Sequence, residues 1–249
     1  MSRATIDTTE VYYEVHGSGD PVLLLHGGFS SIEAMRPQME ALATAGYTVY
    51  APERAGHGRS ADEDGPFSYA RSVSQTLAFL DAVGVSHPHI VGFSDGAIIG
   101  LMIALDHSRR IRSLVSISGN LDPSGFVAEG EGRPFPARAD APDRSREVYN
   151  RLSPDGPGHA DAVVAKLMEL WTTEPKIAPA RLGTIGIPVL VMAGDSDLIA
   201  LDHSRVMATS IPAGELCIVP AAGHGLLEQR PEFVTFVVRE FLATATRTG

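Results

Sequence analysis

A chain of 249 residues, 44% hydrophobic and 20% charged, is long enough for one large α/β core, or for two small ones, and lacks the biases of disordered or fibrous proteins. Its 30 acidic against 20 basic side chains leave a net charge of −10 with no basic cluster, which excludes nucleic acid and anionic membranes as partners because both need concentrated positive charge. No apolar run nears the ~20 residues that span a bilayer, residues 1–10 lack the apolar centre of a secretory signal, and the single cysteine, Cys217, rules out an internal disulfide, so a cytoplasmic chain is expected.

In chain order, short apolar runs alternate with amphipathic stretches, the pattern of a mostly parallel sheet with helices on both faces. Two strands are expected at 4–6 and 11–15, before the turn His16-Gly17-Ser18-Gly19-Asp20. Residues 21–25 form a continuous apolar run, as suits a strand buried on both faces. Ile32, Met35, Met39 and Leu42 recur every three or four residues, predicting a helix that ends at Gly46. A strand at 47–51 and a helix at 69–83 follow, and then a strand at 89–91 leads into Ser94. Ile98, Leu101, Met102 and Leu105 share one face of the next helix. Strands at 114–117, 189–192 and 216–219 complete the sheet, with Cys217 read as a small core residue. The last helix is expected from Pro231, packing through Phe233, Phe236, Val237 and Phe241.

One region breaks the alternation. Residues 120–186 are rich in proline, glycine and charge and lack strand patterns, although Val163, Leu167 and Leu170 before Trp171 have helical spacing. A stretch this long inside one domain is usually functional or disordered. It reads as a cap inserted into a single domain spanning 1–249, with residues 130–138 as a candidate mobile lid.

The sharpest signal is Gly92-Phe93-Ser94-Asp95-Gly96, placed directly between a strand and a helix. A serine that projects from a sheet end needs a very tight turn, and glycines two residues either side relieve its crowding. The helix beginning there aims unsatisfied N–H groups at the place where an oxyanion would form. With this elbow, the sequence resembles the α/β-hydrolase superfamily over nearly its whole length apart from the cap. His26-Gly27-Gly28-Phe29 resembles that family's oxyanion loop, and Gly56-His57-Gly58-Arg59-Ser60 its tight glycine turn. Gly194-Asp195-Ser196-Asp197 and Ala222-Gly223-His224 resemble its acid and base loops.

A serine hydroxyl is a poor nucleophile until an imidazole takes its proton. Of nine histidines, His224 is preferred because it follows the last strand in a glycine-flanked loop at the same sheet edge as Ser94. His26 and His57 are expected to organise loops; His87, His89, His107 and His159 are expected at surfaces or loop ends. Asp197 matches the family position for the carboxylate that fixes the imidazole tautomer, Asp195 is expected to tie down the turn, and Asp122 is the alternative acid. The order Ser94, Asp197, His224 is that of the family. One oxyanion donor should be the backbone N–H of Asp95, the other that of Gly28 or Phe29.

The resemblance implies a cofactor-free hydrolase of a small carboxylic ester or related acyl compound, with no metal site. The elbow is similar to the valacyclovir hydrolase branch, whose α-amino ester substrates suggest that Asp95 binds an ammonium; the alternative is that Asp95 caps its helix. Phe29, Phe126, Phe135, Met168 and Trp171 are candidate walls of an acyl pocket. The serine at the elbow disfavours relatives with an aspartate nucleophile. Carbon–carbon bond hydrolysis, lactone opening, perhydrolysis and cyanohydrin cleavage use the same triad and stay open. A receptor of this fold that holds a ligand without turnover also stays open, with Glu129, Glu131, Asp140 and Asp143 as a docking face or simply a solvated surface. Nothing in the sequence sets an oligomeric state.

Overall fold

In a computed structural model, which describes residues 2–127 and 143–247, the apolar runs assemble into a single sheet. Its strands are β1 (Ser2–Ile6), β2 (Thr9–Gly17), β3 (Asp20–Leu25), β4 (Tyr47–Pro52), β5 (His89–Phe93), β6 (Ser113–Ile117), β7 (Val189–Gly194) and β8 (Gly214–Val219). The helices are α1 (Arg36–Thr44), α2 (Tyr69–Ala82), α3 (Asp95–Asp106), α4 (Arg144–Leu152), α5 (Ala160–Thr173), α6 (Leu201–Ser210), α7 (Leu226–Gln229) and α8 (Pro231–Arg247). The spatial order of the eight strands is β1-β2-β4-β3-β5-β6-β7-β8. β1 and β2 pair antiparallel, as do β2 and β4; every later pairing is parallel.

The order reverses at β3, which has β4 on one side and β5 on the other. Loops leaving neighbouring strands at such a point diverge to opposite faces and open a crevice at the carboxyl ends, where ligands bind in open α/β sheets. Leu25 pairs with Gly92 at the last register of β3 and β5, so the loop after β3 and the turn carrying Ser94 emerge side by side.

Two apolar layers hold the sheet. In β3, Val22 and Leu24 join the layer with Met39 and Leu42 of α1 and Val234 and Val238 of α8. Leu23 and Leu25 join the opposite layer with Phe79 of α2, Leu101 of α3, Leu167 of α5 and Met207 of α6. These β3 side chains are at most 2% exposed, so each contributes about 1.5–3 kcal/mol of burial. α4 and α5 lie in the chain between β6 and β7, in the long stretch without strand patterning.

Three local expectations are corrected. α8 buries Val234, Val238, Phe241 and Leu242, a stripe with spacings of four, three and one, while Phe233 and Phe236 are 43% and 62% exposed. Both phenylalanines lie on the flank of this helix's apolar arc, and the packing partner decides which part of the arc is buried. β8 is an edge strand, so Leu216 is exposed and Cys217 packs against the core layer while only half-buried. His89, expected near the surface, is fully buried: it opens the central strand β5, with Nδ1 on Ser113 Oγ at 2.7 Å. Among the described residues, no helix is long and apolar enough to cross a membrane.

Candidate active site

Ser94 stands between β5 and α3 with φ 53° and ψ −115°, a left-handed conformation that a non-glycine residue holds only when its surroundings enforce it. Its N–H donates to Ile117 O at 2.8 Å, tying the turn to β6. The flanking glycines are explained by close approach. A Cβ on Gly92 would lie 2.2 Å from Gly96 O, and one on Gly96 would lie 2.0 Å from Leu25 O, the last residue of β3. The chain can turn this sharply only without those methyl groups. α3 thus begins one residue after the serine; Ala97 and Ile98 N–H donate to Ser94 O at 2.9 and 3.1 Å, so the N–H groups of Asp95 and Gly96 come before the helix's own first bonds.

His224 lies in the loop between β8 and α7 and bridges two partners. Its Nε2 is 3.1 Å from Ser94 Oγ and its Nδ1 is 2.8 Å from Asp197 Oδ1. The Asp197 side chain is fully buried, against 25% exposure for His224. Asp197 Oδ1 also accepts from Ile199 N at 3.2 Å, and Oδ2 accepts from Ser118 Oγ at 2.5 Å and Gly194 N at 3.2 Å. Burial alone would push this carboxyl up; the hydrogen bond and charge of His224, with the Ser118 and Ile199 donors, reverse that and leave it below its ordinary value. An ionised Asp197 fixes the tautomer with the proton on Nδ1, leaving Nε2 free to accept from Ser94. Of the three residues singled out from sequence, His224 is therefore within hydrogen-bonding reach of both Ser94 and Asp197.

Asp195 ties two loops together, accepting from Ala221 N at 3.0 Å and Ala222 N at 3.2 Å, just before His224. Asp122, the alternative acid, instead caps a short turn by accepting from Ser124 N at 2.8 Å. Ser118 was not picked out by sequence. It follows β6 with φ 54°, and the Ser118-Gly119 pair after a buried strand was its one available signal.

The loop after β3 is braced from below. His26 Nδ1–H donates to Gly27 O at 2.7 Å, and its Nε2 accepts from Arg54 N at 3.1 Å. Arg54 donates through Nη1 to His26 O at 2.6 Å and through Nη2 to Gly27 O at 3.0 Å. His57 donates from Nδ1 to Ala55 O at 2.9 Å, so both histidines organise loops. Burial, reinforced by the Arg54 charge, holds His57 down at about 3 and His26 well below its ordinary value; burial brings His89 to about 4. The unfolded chain takes up protons on these residues near pH 6.5 while the folded chain does not. The stabilisation tied to neutral His57 and His89 is therefore complete above pH 6.5 and is lost as pH falls towards 3–4, by up to about 1.4 kcal/mol per pH unit for each, with His26 acting in the same direction. Tm should accordingly fall on acidification below pH 6.5, and His57→Asn, which can keep the bond to Ala55, should flatten the decline. Equal losses in both proteins would refute this account.

Asp95 departs from both expectations for its side chain. It is 3% exposed, and Oδ1 accepts from Tyr69 Oη and from Trp171 Nε1, each at 2.9 Å. Oδ2 faces Arg54 Nη2 at 3.8 Å. A carboxylate enclosed by the protein's own donors is not offered to a substrate ammonium, and these donors are side chains rather than the first N–H groups of α3. Its backbone N–H stays at the elbow, beside Ser94.

A cavity of about 600 Å³ adjoins Ser94 and His224, bounded by Gly28, Phe29, Phe93 and Tyr149, with Glu33, Arg144, Glu147, Arg151 and Glu228 also in its walls. Phe29 has φ 45° and stacks on Tyr149 of α4 at 5.3 Å. Of the other proposed acyl-pocket residues, Trp171 is turned to Asp95, Met168 is 51% exposed on α5, and Phe126 is 39% exposed and bridges Ile199; none of the three walls this cavity. Helical periodicity identified the apolar residues but not which of them would face the serine. Phe135, residues 130–138, Glu129, Glu131 and Asp140 lie outside the described residues. Among the described residues, no group of histidine, cysteine or carboxylate side chains could hold a metal ion.

Comparison with known proteins adds three results. The model of the alpha/beta hydrolase family matches residues 22–235. The putative carbamate hydrolase RutD of Caulobacter vibrioides is 30% identical, covering 98% of this chain and all of that protein; the namesake from Azorhizobium caulinodans is 29% identical over 246 residues, 90% of this chain and 91% of its own. Among solved structures, the enol-lactonase from Burkholderia xenovorans superposes with a TM-score of 0.79 at 22% identity, over 97% of this chain and 100% of that one.

Proposed function

The chain belongs to the alpha/beta hydrolase family, and from that premise we propose that it is a serine hydrolase of small carboxylic esters or related acyl compounds. The observation that carries this reading is His224 bridging Ser94 Oγ and Asp197 Oδ1 beside a cavity of about 600 Å³. Ser94 Oγ attacks the acyl carbon as His224 Nε2 takes its proton, and Asp197 balances the imidazolium charge. The carbonyl oxygen, now anionic, is met by the backbone N–H of Asp95 and by the loop Gly28-Phe29; each such donor is worth about 3–4 kcal/mol in the transition state. His224 returns the proton to the leaving group, which departs and leaves Ser94 acylated. Water, deprotonated by the same imidazole, then releases the acid and restores the hydroxyl.

A carbamate is the second reading, favoured by relatives at 29–30% identity that are named as carbamate hydrolases. Its carbonyl is attacked by the same sequence of steps. A fluorophosphonate probe should label the wild type at Ser94, and aryl esters of increasing acyl length should be turned over for many cycles. Aryl carbamates with the same leaving group should then rank the two substrate classes by kcat/KM. Absence of labelling would overturn the nucleophile, and a single stoichiometric release without turnover would indicate a ligand receptor.

A further inference from the structure

The two halves of the oxyanion site come from different parts of the chain: Gly28-Phe29 from the loop after β3, and Asp95 from the start of α3. Trp171 of α5 touches both. Its indole N–H donates to Asp95 Oδ1 at 2.9 Å. Its ring edge lies over Gly28 so closely that a Cβ there would be 2.5 Å from Trp171 Cζ2 and 2.6 Å from Asp95 Oδ2. Glycine at position 28 is what allows the indole, the loop and the carboxylate to stack.

Neighbouring contacts act in the same direction. Tyr69 Oη shares Asp95 Oδ1 with the indole. Arg54 holds the carbonyls of residues 26 and 27, and the Nη2 that bonds Gly27 O also lies 3.8 Å from Asp95 Oδ2. Phe29, in its left-handed conformation, stacks on Tyr149 of α4 with the rings 21° from parallel. Such a backbone persists only when surrounding contacts over-determine it. α4 and α5, both between β6 and β7, thus grip the side chains or Cα atoms of every residue assigned to the oxyanion site.

We propose that Trp171 is a positioning residue which, through Asp95 and Gly28, sets the spacing of the oxyanion donors, so that the site is complete only while α5 is seated on the sheet. The inference rests on the serine-hydrolase reading. It differs from substrate binding because the indole meets Asp95 and Gly28 rather than the cavity beside Ser94.

The expected signature is a loss of transition-state stabilisation with ground-state binding spared. Trp171→Phe keeps an aromatic ring and removes the N–H. It should lower kcat roughly 10–100-fold, less than the 10²–10³-fold for loss of a whole donor, with KM changed less than about threefold. The affinity for an aryl trifluoromethyl ketone, which forms a tetrahedral oxyanion on Ser94, should fall by the same factor as kcat/KM. Gly28→Ala reaches the contact from the other side and should give the same pattern; adding Trp171→Phe to it frees space for the methyl group and should restore part of the ketone affinity. Should Trp171→Phe fail to fold, Gly28→Ala carries the test. If the variants fold and retain wild-type kcat and ketone affinity within twofold, the proposal is overturned and the hydrolase reading stands. A wild-type protein that ignores both the ketone and the fluorophosphonate overturns the hydrolase reading itself.

Discussion

Ser94→Ala should lower kcat by roughly 10⁴-fold or more while shifting Tm by no more than about 2 °C. The two effects separate because the hydroxyl supplies chemistry and little packing. Ser94 is half-buried beside the cavity, and its anchoring bond to Ile117 O uses the backbone N–H, which alanine retains. Once Oγ is gone, His224 has nothing to activate, so His224→Ala added to Ser94→Ala should cost almost nothing further. That non-additivity is the mark of groups acting as one unit. Turnover of an aryl ester and thermal melts of the single and double variants are the measurements. A serine-free protein keeping a hundredth of wild-type activity would show that another residue is the nucleophile.

The second large effect is on the turn itself. Gly96→Ala places a methyl carbon 2.0 Å from Leu25 O, a backbone atom in the central strand β3, which cannot swing aside as a side chain would. α3 must withdraw from the sheet, at a cost on the order of 3 kcal/mol, the upper end for overpacking. For a chain of this size that corresponds to a fall in Tm of roughly 6–12 °C. Ser94 and Asp95 travel with the helix, so kcat should drop about 100-fold as well, the scale expected from a displacement near 1 Å. Gly183→Ala is the control: a Cβ there meets nothing within 4 Å, and its Tm should be unchanged. Wild-type stability in Gly96→Ala would mean that the elbow is looser than its contacts imply.

How much of this could be read beforehand depended on whether the signal was local. The elbow was legible because a buried strand, two glycines and a helix start crowd into a few residues around Ser94, and steric necessity leaves few substitutes. His224 was legible for a related reason, since it follows an apolar strand in a glycine-flanked loop, whereas Asp197 was separated from Asp195 and Asp122 only by its resemblance to the family's acid position. The surroundings of Asp95 were not. Tyr69 and Trp171 lie 26 and 76 positions from it, and an isolated carboxylate after a nucleophile looks the same whether it faces a substrate or an indole. Sheet order is invisible too, so the apolar run of β8 resembled a central strand although it lies at an edge. On α8 the exposed Phe233 and Phe236 flank the arc that buries Val234 and Val238, and spacing alone does not say where the buried arc ends.

Trp171 is the only tryptophan in the chain. Its indole is hydrogen-bonded to a buried carboxylate and pressed against a glycine beside the serine, so emission excited at the red edge of protein absorbance originates at this one place. The protein carries its own optical probe: lifting α5 off the sheet would change the polarity and charge around a single fluorophore, so the seating of α5 can be read without an attached dye.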